Sequence, residues 1–573
     1  MNEPQKLTPA EQNKLDSRYL RGTLKESLQA DTTHFTKNEG LLLKFHGTYE
    51  QDDRDLRQEL LKQGKEPAYS MMVRTKIPGG VLTAEQYLAH DELSEKYGNK
   101  TLRVTTRQGF QFHGILKRNM KAVIRSINDK LLTTSGACGD IVRNVMAWPA
   151  PTFEPWQADI HRYAKELSDV FLSQSGAYHE IWLDGEKVEI AEPEKAEPIF
   201  GATYLPRKFK IGMSGHLDNG VDVYTQDLGI VPELEGSRII GFNILVGGGF
   251  GTNHANKKTY PRLGSPLCFV QPQDLVEIAK AIVLTQRDFG DRQDRKHARL
   301  KYTIDTMGLD QFRSEVEKRF GKKTETAHPI RLSKIDFFHG WRQQLGGTWC
   351  YGLFVENGRI KDEGTFNLKT ALREICRQFN PMVYVTPAQD LLFGGLTENQ
   401  KPLFETVLKK HGVALAEEIS EIRKSSMACP ALPTCGLAIS ESERFLPALM
   451  TEIEALLEEF GLRDLPIIVR MTGCPNGCAR PYNAEIAFVG KTAGTHNVYV
   501  GGNRVGDRLV YLLAEKVDAQ NLAAILRPLI REYQSERSEG ESFGDFCDRL
   551  GPEKARSLAG SVVTEKETWA VRG

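Results

Sequence analysis

The amino-acid sequence predicts an α/β (α+β) protein built from an internal pseudo-twofold repeat. The stretch TLRVTTRQGFQFHGI (101–115) resembles MVYVTPAQDLLFGGL (382–396). Both alternate as strands do, and each follows a stretch with helical amphipathicity. Three more pairs of blocks match in the same order: VMAWPAPT (145–152) with SMACPALPTC (426–435), LPRKFKIGMSG (205–215) with LPIIVRMTGCP (465–475), and NILVGGGFG (243–251) with VYVGGNRVG (498–506). The shared order favours two related α/β units, with a ligand site between them, over unrelated strands that share glycine turns.

The length and composition limit the class of protein. A chain of 573 residues exceeds one hydrophobic core, so several domains are expected. The 75 basic and 75 acidic residues cancel, which argues against a general nucleic-acid or membrane-surface binder. No apolar run is long enough to cross a bilayer, and the polar N-terminus is unlike a secretory signal. The sequence therefore predicts a cytoplasmic protein.

Two polar segments are expected at the surface. Residues 1–70 predict an extended arm with a short helix, which includes QDDRDLRQELLKQGKE. The acidic, proline-containing segment AEPEKAEP (191–198) predicts a loop.

Four of the nine cysteines lie in two segments rich in Pro and Gly, ACPALPTCG and TGCPNGCAR: Cys429, Cys435, Cys474 and Cys478. Tight turns expose backbone N–H groups and let thiolates converge, and four cysteines are the usual ligands of a cubane iron–sulfur cluster. Structural zinc is one alternative, although its paired ligands are usually separated by about two to four residues. Two disulfides are another, which a reducing compartment disfavours. The remaining cysteines are expected to be small core residues: Cys138, Cys268, Cys350, Cys376 and Cys547.

The repeat predicts one cluster in the whole chain. In the first copy Trp148 aligns with Cys429, and Ser214 aligns with Cys474. The first half therefore has the scaffold without the ligands and is available for another role.

Seven cations fall within or beside the matched blocks of the first half: Arg74, Arg103, Arg107, Arg143, Arg207, Lys208 and Lys210. Arg103 and Arg107 share one strand face, and so do Lys208 and Lys210. Any one of them is explained by a solvated sheet face, but a buried group of cations needs anions. Arginine suits planar carboxylates, and lysine is a compact charge and proton donor. The set predicts a polycarboxylate cofactor and a small oxyanion.

Taken together, these motifs resemble the siroheme-containing sulfite and nitrite reductase family over nearly the whole chain. The resemblance is strongest to the haemoprotein (beta) subunits of its assimilatory, NADPH-dependent branch. RMTGCPNGCARP (470–481) coupled to SMACPALPTC is the most specific stretch. Other matching stretches are RYLRGT, FHGTYEQDDRD, LRVTTRQGFQFHGIL, EIWLDGEKV, TYLPRKFK and GFNILVGGG.

The resemblance implies a ferredoxin-like domain built from one segment of each half, with two related sulfite-reductase-type α/β domains beside it. The expected boundaries are an arm at 1–70, the ferredoxin-like halves at 71–135 and 341–414, a first siroheme-binding domain without a cluster at 136–340, and a second domain carrying the cluster at 415–573.

The resemblance also implies residue roles. Cys429, Cys435, Cys474 and Cys478 bind a [4Fe-4S] cluster, and Cys478 is also the axial ligand of the siroheme iron. Substrate-anion residues are Arg74, Arg143, Lys208 and Lys210. Residues for the siroheme carboxylates are Arg103, Arg107 and Arg207, with Asn476 beside the cofactor. The loop GACGDIVRN departs from the family pattern at Cys138 and Gly139, and TCGL has Gly where Pro is expected.

The implied activity is the six-electron reduction of sulfite to hydrogen sulfide, in sulfate assimilation and cysteine biosynthesis. GGGFG lacks a complete dinucleotide fingerprint, so NADPH oxidation is expected in a separate flavoprotein (alpha) subunit that carries FAD and FMN. No nucleic-acid or membrane partner is expected. The alternatives are a ferredoxin-dependent sulfite or nitrite reductase and, in another class, a non-catalytic iron–sulfur redox protein, which leaves the cations unexplained.

Overall fold

A computed structural model describes residues 7–130, 132–149, 153–174, 181–183, 186–188 and 197–563. Most of the predicted acidic loop, residues 191–196, and the end of one repeat block, residues 150–152, lie outside the described residues. None of the helices in these ranges is long and apolar enough to span a bilayer.

Two five-stranded sheets form the first layer of the repeat. The first has the order β1 (Thr48–Asp52), β2 (Tyr69–Arg74), β5 (Phe110–Ile115), β4 (Leu102–Val104) and β15 (Arg359–Ile360). The second has the order β13 (Gly340–Gln343), β14 (Trp349–Leu353), β19 (Leu391–Leu396), β18 (Met382–Val385) and β3 (Val81–Thr83). The two orders correspond strand for strand, which confirms the repeat.

The two sheets exchange an edge strand. β3 of the first half pairs antiparallel with β18, and β15 of the second half pairs antiparallel with β4. Because each sheet is completed by the other half, the two ferredoxin-like segments interlock. The arm also takes part, since β1 lies within residues 1–70 and pairs with β2.

Two further sheets repeat a second topology. One has the order β6 (Met146–Ala147), β9 (Ile211–Met213), β10 (Leu228–Glu235), β11 (Arg238–Val246) and β12 (Ser265–Val270). The other has the order β20 (Ser426–Ala428), β21 (Val469–Thr472), β22 (Ile486–Thr492), β23 (Thr495–Val500) and β24 (Tyr511–Asp518). In each, the first three strands are parallel and the last three antiparallel. Short hairpins complete the strands: β7 (Ile181–Leu183) with β8 (Glu186–Val188), and β16 (Asp362–Glu363) with β17 (Phe366–Asn367).

Strand register corrects one alignment of the repeat. Ile211 pairs with Leu228, and Val469 pairs with Ile486 in the same way. Counting along these strands, Ser214 corresponds to Thr472, not to Cys474 as the sequence alignment predicted. The sequence alignment was shifted by two residues because similar residue types recur at that offset. Backbone pairing shows which residues are equivalent.

Helices cover the sheets, and their caps follow from the sequence. Thr83 and Gln86 form a capping box at the start of the helix that precedes β4. In the helix before β18, apolar side chains recur at Leu368, Leu372 and Ile375 and are buried. The helices are α1 (Pro9–Asp16), α2 (Leu24–Gln29), α3 (Lys37–Leu43), α4 (Arg54–Lys62), α5 (Ala84–Tyr97), α6 (Met120–Asp129), α7 (Gln157–Val170), α8 (Leu275–Phe289), α9 (Leu300–Met307), α10 (Leu309–Phe320), α11 (Leu368–Phe379), α12 (Lys401–Lys410), α13 (Glu421–Lys424), α14 (Leu446–Glu459), α15 (Arg527–Glu536), α16 (Phe543–Leu550) and α17 (Pro552–Val563).

Apolar packing divides mainly into two clusters. One runs through both interlocked sheets and the first half, and the other fills the unit formed by residues 422–559. All nine cysteines are free thiols, and the five that the sequence assigned to the core are buried.

Candidate functional site

The four predicted cluster cysteines lie at the carboxyl ends of two parallel strands. Cys429 directly follows β20, and Cys474 follows β21 by two residues. The Cys429 N–H donates to the carbonyl of Met471 at 3.2 Å, which joins the two loops. The Gly473 N–H points at Cys429 Sγ, 3.4 Å away. Backbone packs so tightly here that a Cβ on Gly473 would lie 2.4 Å from the Ser440 carbonyl oxygen.

The pKa values of these thiols show that they are neighbours. Burial raises the pKa of Cys429 and of Cys435, and raises that of Cys474 to about 12. In each case the negative charge of the Cys478 thiolate is the next largest cause, in the same direction. Four thiols that oppose each other's ionisation need a bound cation to become thiolates together.

The thiols do not converge on a single ion. Across the described ranges, no three His, Cys, Asp or Glu side chains come close enough to hold one metal ion. Tetrahedral zinc requires such convergence at about 2.3 Å from each sulfur.

Lys208 and Lys210 lie in the extended segment that leads into β9. Val142 and Phe209 form a parallel bridge, and the Arg143 N–H donates to the Phe209 carbonyl at 2.9 Å. Because Phe209 is buried, Lys208 and Lys210 on either side of it extend to the opposite face of this segment, and the region that they share with Arg143 is called the cationic recess below. Both lysines precede β9 and so lie at its amino end, whereas the cysteines of the second half follow the carboxyl ends of β20 and β21.

The pKa values of these lysines place them near Cys478. Burial, together with the charges of Arg207 and Arg299, lowers the pKa of Lys208 to about 7, and Cys478 opposes the shift. Burial and the charge of Lys208 lower the pKa of Lys210 well below its usual range, and Cys478 again opposes. In the part of the chain that the structure describes, neither ammonium forms an ion pair. The exposed Cys478 of the second half therefore lies within electrostatic range of both amino groups.

Two arginines extend this cationic group. Arg107 donates to Gln226 Oε1 at 2.9 Å and to the Ile211 carbonyl at 3.1 Å, while its buried Nε has no hydrogen-bond partner among the described residues. Burial and the charge of Arg143 lower the pKa of Arg107 to about 9. Arg74 donates from Nη1 to Cys138 Sγ at 3.1 Å.

Among the described residues, the Arg143 side chain donates only to backbone carbonyls. It donates to Gly139 at 2.8 Å and to Ala137 at 3.4 Å. The loop that the sequence marked as atypical therefore orients Arg143 through its backbone. Gly139 is required there, because its φ is 88° and a Cβ would lie 2.8 Å from Phe45.

Three other predicted residues have partners within the chain. Arg103 forms a buried ion pair with Glu443 at 2.8 Å, and Arg207 lies 3.4 Å from Asp140. Asn476 donates from Nδ2 to Cys474 Sγ at 3.4 Å. These contacts give Arg103 and Arg207 counter-charges already, so they differ from the unpaired cations Lys208 and Lys210.

Sequence reasoning missed a second group of buried charges. Lys301 donates to the carbonyls of Gly249 and Gly251, each at 3.1 Å, and burial lowers its pKa to about 7. Arg299 makes a bidentate pair with Asp227, at 3.0 and 2.8 Å. These side chains lie on α9 or just before it, a helix with no counterpart motif in the repeat. Only the burial of charged residues signals them, and burial is not visible in the sequence.

The halves meet at the cysteine loop. The Thr106 hydroxyl donates to the Cys478 carbonyl at 3.1 Å, and the Thr252 N–H donates to the Pro475 carbonyl at 3.0 Å. A Cβ on Gly251 would lie 3.7 Å from the Asn476 carbonyl oxygen. These contacts place Cys478 at the junction between the two α/β units.

Comparison with known proteins adds family matches. Residues 163–324 match the model of the nitrite and sulphite reductase 4Fe-4S domain, and residues 62–130 and 342–411 match the nitrite/sulfite reductase ferredoxin-like half domain. The first match falls on the half without the four cysteines, so it does not by itself locate a cluster.

Whole-chain relatives are similar throughout. The sulfite reductase [NADPH] hemoprotein beta-component of Anoxybacillus flavithermus is 47% identical, over 94% of this chain and 95% of the relative. That of Staphylococcus saprophyticus is 45% identical, over 96% and 97%. The structure of the Mycobacterium tuberculosis NirA protein superposes with a TM-score of 0.79 at 22% identity, covering 96% of this chain and 98% of that one, which shows a shared fold.

Proposed function

Since this chain belongs to the nitrite and sulfite reductase family, we propose that it reduces sulfite to hydrogen sulfide at a siroheme coupled to a [4Fe-4S] cluster. The main support for this proposal comes from Lys208 and Lys210. They lack ion-pair partners in the described chain, and they lie close enough to Cys478 for its charge to affect their pKa values. An electron carrier has no need of such a cationic recess.

The residues present fit a cubane cluster. Cys429, Cys435, Cys474 and Cys478 would hold it, and the Gly473 N–H and the Asn476 amide already point at ligand sulfurs. Such N–H groups tune the potential of a cluster. The buried thiols would be deprotonated on binding iron, and the positive charge of the iron would offset the repulsion between the thiolates.

The recess also fits siroheme. Cys478 is exposed and would hold the siroheme iron as well as the cluster. The unpartnered Nε of Arg107 would take a siroheme carboxylate. We assign Arg103 and Arg207 to the same carboxylates through the N–H groups that their present partners leave unused, with Asn476 beside the cofactor.

Arg74, Arg143, Lys208 and Lys210 would bind and protonate the substrate. Bound siroheme with its cluster supplies electrons singly to the sulfur atom. The chain's cations draw the sulfite dianion into the recess and hold its oxygens. Lys208, with a pKa near 7, gives up a proton at neutral pH more readily than an ordinary lysine, so that each oxygen leaves as water.

The electrons would come from a separate flavoprotein alpha subunit that binds NADPH and carries FAD and FMN. The sequence has no complete dinucleotide fingerprint, and the similar relatives are named as the hemoprotein beta-component of an NADPH enzyme. A role in sulfate assimilation and cysteine biosynthesis follows from this activity. The nine free thiols are consistent with the reducing cytoplasm.

Cofactor content and turnover test this proposal. The purified chain should show chlorin-type absorption bands and reduce sulfite with an artificial low-potential donor. Cys478→Ser should lose the siroheme bands or the iron of the cluster, and with it the turnover. Cys376→Ser, at a buried core thiol, is the control and should keep both. A fully active Cys478→Ser protein with unchanged bands would exclude the bridging role.

A further inference from the structure

Asp222 and Arg480 occupy equivalent positions in the two α/β units. Each is in the left-handed backbone region, with φ of 52° and 54°. Each caps a single 3₁₀ turn, Val223–Thr225 or Pro481–Asn483, and the third strand of its sheet follows. The pseudo-twofold symmetry of the repeat therefore relates Asp222 to Arg480, and the two equivalent positions carry opposite charges.

Within the part of the chain that the structure describes, the side chain of Asp222 binds only residues of the second half. Its Oδ2 accepts from Arg480 Nε and lies 2.9 Å from Arg470 Nη2, while its Oδ1 accepts from Asn483 Nδ2 at 3.0 Å. All four side chains are buried. Burial would raise the pKa of Asp222, but the charges of Arg470 and Arg480 outweigh it and lower that pKa.

Arg480 links Asp222 to Thr106 and to the loop that contains Cys478. Its Nη1 donates to the Thr106 carbonyl at 3.1 Å, and its Nη2 donates to the Pro387 carbonyl at 3.0 Å. The Thr106 hydroxyl in turn donates to the carbonyl of Cys478, two residues before Arg480. A continuous path of hydrogen bonds therefore links Asp222 to Thr106, which directly precedes Arg107, and to the backbone of Cys478.

We propose that Asp222 is a positioning residue for sulfite reduction: from the half without cysteines it fixes the Cys478 loop against the cationic recess. The proposal rests on the proposed function. A buried charge network is costly to desolvate, and its best attested use is to fix one register between packed elements. Here the network would fix the position of the half that contains Lys208 and Lys210 relative to the half that contains Cys478. A misplacement of about 1 Å is enough to slow a reaction roughly a hundredfold.

The test compares Asp222→Asn with Asp91→Asn in the holoenzyme. Asp91 is equally buried and is paired with Arg373 and Lys369, in the ferredoxin-like layer. It therefore controls for the loss of any buried carboxylate. Siroheme and iron content, kcat and KM for sulfite, and the siroheme electron paramagnetic resonance spectrum are measured for each protein.

We expect Asp222→Asn to lower kcat per siroheme roughly ten- to a hundredfold. KM should stay within about twofold, because the anion-binding cations are unchanged. The resonance positions, which report ligand geometry at the iron, should shift in Asp222→Asn and stay in place in Asp91→Asn. Unchanged kcat per siroheme and an unchanged spectrum in Asp222→Asn would overturn the proposal.

Thr106→Val tests the positioning role if Asp222→Asn does not fold. It removes only the hydroxyl that holds the Cys478 carbonyl, at a solvent-accessible position. A smaller shift of the same resonance is expected, and a spectrum identical to that of the wild type would overturn the proposal. If the wild type itself carries both cofactors but does not reduce sulfite, the proposed function fails, while the spectral comparison still tests the positioning role.

Discussion

The guanidinium of Arg103 lies 2.8 Å from the carboxylate of Glu443, and this buried pair joins the first half to the Cys429 loop. Arg103 also donates to the Ala428 carbonyl at 2.8 Å, and the Glu443 N–H donates to the Cys429 carbonyl at 3.1 Å. Arg359, paired with Arg103 across β15 and β4, completes the group by binding Glu443 at 2.6 Å. Arg103 and Glu443 together thus hold the backbone carbonyls of Ala428 and of the cluster ligand Cys429.

Glu443→Gln should destabilise the protein and loosen the cluster. Burial would raise the pKa of Glu443, but Arg359 and Arg103 lower it to about 2, so this carboxylate is ionised and needed at neutral pH. Breaking a buried pair typically costs about 3–5 kcal/mol. Denaturant unfolding and iron content measure the effect. Glu454→Gln, at a half-buried partner of Arg423, is the control and should keep its iron. Equal iron in both variants would contradict a positioning role for Glu443.

Lys208→Ala and Lys210→Ala should keep both cofactors and lose turnover. A hydrogen bond to a charged group contributes roughly 1.5–3 kcal/mol. Its loss lowers kcat/KM by about one to two powers of ten. The exposed Lys96→Ala is the control. Arg107→Ala should instead reduce siroheme retention. The assignment of the two groups is reversed if the lysine variants lose siroheme while Arg107→Ala keeps it.

The alkaline limb of kcat/KM should depend on Lys208. Its pKa is lowered to about 7, so the ammonium form is lost as pH rises through that value, and activity should fall with it. Arg207→Gln removes a positive neighbour that lowers this pKa, so the limb should move to higher pH. A pH profile of each variant measures this. A limb at the same pH in Lys208→Arg and the wild type would show that another group titrates.

The isolated chain should use an artificial low-potential donor but not NADPH. The physical reason is the missing dinucleotide-binding fingerprint. Sulfide production is measured with each donor, with and without the flavoprotein subunit. NADPH-driven turnover by the pure chain alone would place a nucleotide site within it.

Trp148→Cys combined with Ser214→Cys should not create a second cluster. Strand register matches Ser214 to Thr472, and the Trp148 ring packs against Trp156, with centroids 5.3 Å apart, where the second half has its cysteine loop. The iron content per chain should equal that of the wild type. A rise by a full cluster would show that the two halves are closer in structure than these contacts indicate.

The sequence by itself determined the repeat, the four cysteines and the basic blocks, because these are local patterns of spacing and periodicity. Two sheets with one strand order and two with another confirm the duplication. The even spacing of Lys208 and Lys210 predicts that they share a face, since side chains alternate along a strand regardless of tertiary context.

Only the tertiary structure decided which charges are paired. Arg103 and Lys210 look alike in the sequence, yet Arg103 meets Glu443 across 340 residues while Lys210 has no ion-pair partner among the described residues. The exchange of β3 and β15 and the Asp222–Arg480 contact likewise join residues far apart in the chain. Such contacts depend on how finished elements pack, and local spacing contains no record of which distant residue arrives beside a given side chain.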